Sequence, residues 1–337
     1  MNPPPNLFVL TTSCSVFITV VAYDGSRYNG FQRQTASLAA ARVPKRPRYN
    51  ENGQKQSVAH TIQDCLEDAI LSLYPQLSLE SLRMRCAGRT DAGVHAKGQV
   101  VAIDVPEKLL ANEDGTLWQT IKAINSRLPN DISIERIDPC CFGWEPRKEA
   151  IRKRYSYTLR YRRNVVTKDG ATSNAICSSG IHTIRRAHDG ACLWHCPWAL
   201  DDRHMRTYCR TLSGQHDYYA FVHKEERKTQ RCHKMTLTAF DYHVLDETSN
   251  EVAPVLTVQF VLEAAGFRRT MVRNLIGFVV DLCRGAIHAP LTSLEKVWDA
   301  NENAAALIHA APASGLCLER VYFQTHDEPS FIVLDEK

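Results

Sequence analysis

The stretch RCAGRTDAGVHAKGQVVAIDV, residues 85–105, decides the fold because it predicts a β-hairpin closed by a rigid loop. Apolar residues alternate with polar ones before and after the loop, at Leu82, Met84, Cys86, Val101, Ile103 and Val105. This period of two predicts strands with one buried face. Gly88 and Gly93 allow backbone angles that other residues avoid, and Asp91 lies between them. Two interpretations stay open: Asp91 caps its own turn, or it is presented with Arg89 to a ligand.

The elements outward from the hairpin repeat one order twice. The first half is predicted as a strand over residues 15–25, a helix over 57–73, the hairpin, a helix over 115–129 and a strand over 131–137. The second half is predicted as a strand over 151–163, a helix over 201–212, strands over 233–244 and 254–264, helices over 268–285 and 293–300, and a strand over 315–323. The order strand, helix, strand, strand, helix, strand is that of a ferredoxin-like unit.

The predicted fold class is therefore α+β, built from two ferredoxin-like βαββαβ halves. The N-terminal half covers residues 1–145 and carries the Asp91 loop, and the C-terminal half covers residues 146–337. We expect their antiparallel sheets to join into one extended central sheet, because joining hides exposed strand edges. The joined sheet would leave a long, positively charged cleft across one face, where a ligand would bind.

The composition is that of a globular protein from a reducing compartment. Lysine and arginine outnumber aspartate and glutamate by only 41 to 37 among 337 residues. The 12 cysteines include no C-x-x-C pair, and no signal peptide or membrane-length apolar run is visible. We expect an intracellular protein with no membrane partner. The cytoplasm or the nucleus is favoured, and the mitochondrion stays open.

Positive charge is concentrated in a few segments, which favours a polyanionic partner. Residues 147–163 hold eight lysines or arginines and one glutamate, and a basic insertion covers residues 35–56. Alternation in the strand places tyrosines on one face and arginines on the other. Interleaved basic and aromatic residues are typical of RNA-binding surfaces, which predicts RNA contacts for Arg152, Arg154, Arg160, Arg162 and Arg268. A charged edge strand that only resists aggregation is the alternative.

Arg273 lies in a helix that is apolar on nearly every side. Removing a guanidinium from water is costly unless a carboxylate or a set of acceptors meets it. Asp91, in the other half of the repeat, is the candidate partner. The alternative is that the long arginine stem carries the charge out to solvent.

The motif GRTDAGVHA, residues 88–96, resembles the catalytic motif of the TruA family of tRNA pseudouridine synthases. Seven further blocks match the family in order: YDGSRYNGFQRQ, TIQ, INSRLPNDISI, KRYSYTL, LSGQHDYYAF, GFRRTMVRNLIG and APASGLCLERV. Because they run nearly from end to end, the resemblance is specific. It implies an enzyme without cofactor or metal that isomerises uridine to pseudouridine in RNA.

The resemblance also implies roles for individual residues. Asp91 would be the essential carboxylate, held ionised by Arg273. Arg89 would fill the space that a flipped nucleotide leaves. Tyr155 would line the base pocket and could accept a proton late in the reaction, with Tyr157 as the alternative because it shares the same face. Leu318, with Leu316 as the alternative, would pack on the uracil.

The sequence leaves the substrate and the assembly open. The resemblance favours tRNA, and within it the anticodon arm, as the partner of either a homodimer or a monomer. A second function class is a catalytically silent RNA-binding or assembly factor on the same fold. The Cys/His-rich stretch at residues 177–196 raises a structural zinc site as a further alternative, although its spacing fits no common zinc module.

Overall fold

The computed structural model describes residues 14–33, 61–106, 117–140, 143–164, 189–228, 232–248, 254–287, 297–298 and 302–324. The predicted basic insertion at residues 35–56 lies outside the described residues. So do residues 177–188 of the Cys/His-rich stretch and most of the predicted helix over 293–300.

One mostly antiparallel sheet dominates the described structure. Its strands are β1 (Cys14–Tyr23), β2 (Arg85–Cys86), β3 (His95–Pro106), β4 (Ile132–Cys140), β5 (Arg152–Arg163), β6 (Trp194–Leu200), β7 (Gly214–Asp217), β8 (Lys234–Glu247), β9 (Val255–Ala264) and β10 (Leu316–Tyr322). They are arranged β4-β1-β3-β10-β5-β9-β8-β7, with β2 on β3 and β6 on β5. The predicted α+β class and the single extended sheet are confirmed.

Eight α-helices accompany the sheet in the described part of the chain. They are α1 (Ile62–Leu73), α2 (Leu79–Leu82), α3 (Trp118–Asn125), α4 (Pro146–Glu149), α5 (Met205–Thr211), α6 (Lys224–Arg227), α7 (Met271–Cys283) and α8 (Glu302–Ala306). α1 begins at Ile62 because Thr61 and Asp64 bond each other's backbone N–H groups in a capping box. Among the described helices, none has both the length and the apolar character that a membrane span requires.

Strand order within the sheet is the same in the two halves of the chain. The first half runs β4-β1-β3-β2 and the second runs β10-β5-β9-β8, with every neighbouring pair antiparallel. Counting only these four strands in each half, and so leaving out β6 and β7 of the second, both orders are fourth, first, third, second. The halves meet where β3 and β10 run parallel, at Cys317 beside His95 and Leu318 beside Ala96. The Asp91 loop and the Tyr155 strand are therefore separated by a single strand.

Several element boundaries differ from the predicted ones. Leu82 was predicted in a strand, but it is the last residue of α2, and Arg83 then turns the chain into β2 in a left-handed conformation with φ 37°. β6 and β7 were not predicted. β7 is an edge strand of four residues, too short and too polar for a period of two to be visible.

Candidate active site

Loop 87–94, between β2 and β3, is held at both ends by backbone hydrogen bonds. The Ala87 N–H donates to the Val100 carbonyl at 2.8 Å, and the Val94 N–H donates to the Asp91 carbonyl at 3.2 Å. From β5, the Lys153 ammonium donates to the Ala87 carbonyl at 2.7 Å. These bonds fix the backbone of Asp91, as the hairpin pattern predicts.

The turn after β1 forms the floor of this loop. The Phe31 N–H donates to the Thr90 carbonyl at 3.1 Å, and the Thr90 and Tyr23 hydroxyls share a 2.8 Å hydrogen bond. Gly30 has φ +92°, and a Cβ there would lie 2.7 Å from the Thr90 carbonyl oxygen. Only glycine tolerates both the positive φ and the close approach of the Thr90 carbonyl, so the packing of this turn against loop 87–94 requires glycine at position 30.

The Asp91 side chain is 33% exposed, and among the described residues nothing donates a hydrogen bond to its carboxylate. Its nearest cationic partner in that set is Arg269, whose Nε lies 3.9 Å from Asp91 Oδ1. This distance permits charge attraction but exceeds a hydrogen bond. The carboxylate oxygens thus face the site without a direct donor from the described chain.

Tyr155 lies beside this carboxylate, on the central strand β5. Its neighbours across the sheet are Leu318 on β10 and Leu262 on β9. The Phe267 ring packs edge-on against it, with the ring centres 5.2 Å apart. Burial raises the pKa of the Tyr155 hydroxyl well above its usual range, and the negative charge of Asp91 raises that pKa further. Tyr155 is therefore a neutral phenol at physiological pH.

Tyr157, the alternative to Tyr155, has a structural contact. Its ring is fully buried, and its hydroxyl donates to the Pro312 carbonyl at 2.8 Å. A Cβ on Gly315 would lie 2.5 Å from the Tyr157 ring, so the ring packs directly on the turn before β10. These contacts favour Tyr155 as the tyrosine of the site.

Comparison with known proteins bears on what this site does. A profile of the family described as tRNA pseudouridine synthase matches residues 208–324. A protein named tRNA pseudouridine synthase A from Synechococcus sp. (strain CC9605) is 30% identical over 88% of this chain and 80% of its own length. This chain belongs to the tRNA pseudouridine synthase family.

Two bacterial relatives extend the match over almost their whole length. The proteins from Thermodesulfovibrio yellowstonii and Nitratidesulfovibrio vulgaris, also named tRNA pseudouridine synthase A, are 27% and 29% identical. Each match covers 97% of the relative, with 90% and 92% of this chain respectively. The resemblance to the TruA family is thereby confirmed.

Arg273 does not lie beside Asp91, where the sequence predicts it. Its Nε donates to the Ala311 carbonyl at 2.6 Å, and its own carbonyl accepts from the Ala311 N–H at 2.9 Å. Arg273 therefore ties α7 to the segment that leads into β10, and Arg269 holds the place beside Asp91. Arg269 comes just before Thr270, whose backbone is left-handed, so Arg269 is directed away from the α7 axis and toward loop 87–94.

The predicted RNA-binding stripe lies on the opposite face of the sheet from Tyr155. Arg152 and Arg154 both pair with Glu263, and Arg152 also stacks 4.0 Å from the centre of the Tyr322 ring. The arginines lie on this opposite face because side chains alternate along β5, so the even-numbered arginines point away from the odd-numbered tyrosines. Arg162 follows the same alternation. By contrast, Arg268 lies in the connection that contacts the site and donates to the Cys232 carbonyl at 3.2 Å.

Arg160 is a correction to the predicted RNA-binding set. It is 6% exposed, it pairs with Asp189, and its Nε donates to the Thr257 hydroxyl at 2.9 Å. His195 contacts the other Asp189 oxygen at 2.7 Å. Loop residue Asp189 thus covers Arg160, which has a structural role that the strand pattern alone does not reveal.

Replacing Arg160 with alanine is expected to destabilise the protein by about 3–5 kcal/mol, because Asp189 stays buried without its cation. Urea unfolding followed by circular dichroism measures this change. The control is Arg203→Ala, which breaks an exposed pair with Asp201 and should leave the unfolding midpoint unchanged. Weaker RNA binding by Arg160→Ala at unchanged stability would contradict the assignment.

Histidines and cysteines near the site have structural contacts. The Cys/His-rich residues within the described part diverge: Cys192 faces the Gly315 carbonyl, His195 contacts Asp189, and Cys196 is buried. Across the described residues, no three metal-binding side chains converge. His95 begins β3 and braces Asp24, with Nδ1 3.1 Å from its carboxylate.

The sequence analysis missed the residues that the β9–α7 connection brings to Asp91 and Tyr155. Phe267 packs on Tyr155, and Arg269 joins Asp91 to Glu225 of α6. The available signal was the pair of arginines in GFRRT just before the apolar helix. Arg89, which was predicted, is exposed and forms no ion pair with another described residue.

Proposed function

We propose that this chain isomerises specific uridines of tRNA to pseudouridine, with Asp91 as the catalytic carboxylate. The observation that carries the proposal is an aspartate on a braced loop, with no donor on its oxygens among the described residues, beside a buried tyrosine. Membership of the tRNA pseudouridine synthase family supports the reaction type and the substrate class.

The reaction breaks the bond between ribose C1′ and uracil N1, turns the base, and forms a bond from C1′ to C5. No atom is gained or lost overall. Asp91 could act as a nucleophile at C1′, as in retaining glycosidases, or could abstract the 2′-proton to give a glycal. Both routes need a carboxylate whose oxygens reach the ribose, which the arrangement of loop 87–94 supports.

The pocket wall would hold the uracil while it turns. Phe267, which is partly exposed beside Tyr155, provides apolar contact, and an apolar surface permits rotation better than fixed hydrogen bonds. Leu318, which was predicted to pack on the uracil, is instead fully buried beside Tyr155 and offers the base no surface. After C5 bonds to C1′, its proton must leave. Because burial raises the pKa of Tyr155, its phenol accepts that proton only if its own proton passes on, and Asp91 is the adjacent carboxylate.

Access to the target base would require flipping it out of the RNA stack. Arg89 extends from the same loop as Asp91 and is exposed, so it is placed to fill the vacated position. Arg268 adds positive charge from the facing connection. The RNA phosphates next to the flipped base would therefore contact the side of the site that this connection forms. Arg152, Arg154 and Arg162 would contact only RNA that reaches the opposite face.

We further propose that the chain consists of two ferredoxin-like halves, 1–145 and 146–337, with the catalytic cleft between them. The shared strand order fourth, first, third, second supports this division, because it is the order of a ferredoxin-like sheet. We also propose an intracellular site of action, on the cysteine usage of the sequence. The silent-factor alternative is not favoured, since Asp91 and Tyr155 are both in place.

The test is pseudouridine formation on unmodified tRNA transcripts by the purified protein in a buffer with a metal chelator. Carbodiimide adducts read by primer extension locate each pseudouridine, and anticodon-arm positions are expected. Total RNA from cells with and without the protein gives the natural targets. RNA binding without any new pseudouridine in either assay would overturn the proposal and favour a silent factor.

A further inference from the structure

The connection between β9 and α7 presents two side chains to Asp91 and Tyr155. Phe267 packs against Tyr155, and two residues later Arg269 brings its Nε to 3.9 Å from Asp91 Oδ1. Arg268, between them, bonds the Cys232 carbonyl instead. Arg269 is therefore part of the site wall.

Glu225 of α6 binds the same guanidinium more closely than Asp91 does. Arg269 Nη1 donates to Glu225 Oε2 at 2.9 Å, the length of a charge-assisted hydrogen bond. The Glu225 side chain is 67% exposed, and exposed ion pairs contribute little to stability. The consequence of this pair is thus mainly geometric, because it sets how near the guanidinium comes to Asp91.

The backbone of Arg269 is fixed as well. Its carbonyl accepts hydrogen bonds from the Thr270 hydroxyl at 2.7 Å and from the His223 N–H at 3.3 Å. Thr270 has φ 60°, which is a rare and costly conformation for a β-branched residue. Such strain persists only where the surroundings impose it, and it concentrates at functional sites. Here it directs Arg269 away from the α7 axis and into the site.

We propose that Glu225 and Arg269 are a positioning pair for Asp91. This inference rests on the proposed function. Arg269 attracts and orients the carboxylate from 3.9 Å, and Glu225 holds the guanidinium back so that both Asp91 oxygens stay available to the ribose. Without Glu225, the guanidinium fork would close on Asp91 and occupy those oxygens with two hydrogen bonds.

A double-mutant cycle tests the pair through the reaction. Glu225→Gln is expected to lower kcat about 10-fold and Arg269→Gln about 100-fold, with KM for tRNA within about twofold in each. Because Glu225 acts only through Arg269, the double variant should match Arg269→Gln instead of losing about 1000-fold. Arg269→Lys should recover part of kcat. Glu226→Gln, one residue along α6, is the matched control and should keep wild-type kcat.

A chemical readout makes the result independent of turnover. Labelling of Asp91 by a water-soluble carbodiimide and an amine, followed by mass spectrometry, reports whether its oxygens are accessible. Labelling should fall in Glu225→Gln, rise in Arg269→Gln and in the double variant, and stay unchanged in Glu226→Gln. This pattern in a protein that makes no pseudouridine would support the pair and reject the proposed function. Additive losses, effects on KM alone, or unchanged labelling would overturn the pair.

Discussion

Asp91→Asn is expected to fold, to bind tRNA and to form no detectable pseudouridine. Asparagine has the size of aspartate, and loop 87–94 is held by backbone hydrogen bonds and by Thr90, which the substitution leaves intact. The amide is neither a nucleophile nor a base of useful strength. Loss of the one reacting group lowers the rate by about 10⁴-fold or more. Single-turnover assays on an anticodon-arm transcript measure the loss.

The control for this variant is Asp241→Asn, which changes a partly exposed carboxylate on β8 that pairs with Arg206 and has no contact with Asp91. It should keep wild-type activity. For both variants, urea midpoints and tRNA affinity should stay near those of the wild type. Mass spectrometry must confirm that the asparagine introduced in Asp91→Asn has not deamidated back to aspartate. Pseudouridine formed by a homogeneous Asp91→Asn protein would remove Asp91 from the mechanism.

Gly25→Ala is expected to disturb the catalytic loop through its floor. A Cβ at position 25 would lie 1.9 Å from the Val94 carbonyl oxygen and 2.6 Å from the Val94 carbonyl carbon. Both are backbone atoms, so relief requires the turn or the Asp91 loop to move. Overpacking of this kind costs about 3 kcal/mol, and a displacement of about 1 Å at a reacting group costs about 100-fold in rate.

Urea unfolding and single-turnover rates together measure the effect of Gly25→Ala. Gly190→Ala is the matched control, because a Cβ there meets nothing within 4 Å, and it should change neither quantity. If Gly25→Ala kept both wild-type stability and wild-type rate, the close approach of Gly25 to Val94 would have no part in holding loop 87–94. A slower rate at nearly unchanged stability would show that the strain is relieved by movement of the loop.

Local patterns predicted most of the elements and the key residue of the site. A period of two identified the hairpin around Asp91, and β2 and β3 pair there with Cys86 opposite Val101. Helical spacing identified α1 and α7, although it set their first residues too early. The capping box at Thr61 decides where α1 begins, and the left-handed turn at Thr270 decides where α7 begins. Because the buried face of a strand or helix recurs at a fixed spacing, the positions of apolar residues in the sequence reveal it.

Long-range partners were not predictable in the same way. Arg273 was expected at Asp91, but Arg269 takes that place, since the left-handed turn at Thr270 sends the two arginines in different directions. Arg160 was expected on an RNA-binding face, but a loop carrying Asp189 buries it. The partner of a charged side chain depends on which distant segments the folded chain brings next to it. The spacing of residues along one segment contains no information about that.

The sequence by itself determined the α+β class, the order of elements, the family and the loop that presents Asp91. These follow from residue-by-residue burial and from motifs that are contiguous in the chain. Tertiary structure alone decided that β3 and β10 join the halves, which arginine approaches the carboxylate, and that Glu225 holds it at a distance. The physical reason is that an ion pair depends on spatial distance, and separation along the chain does not specify that distance.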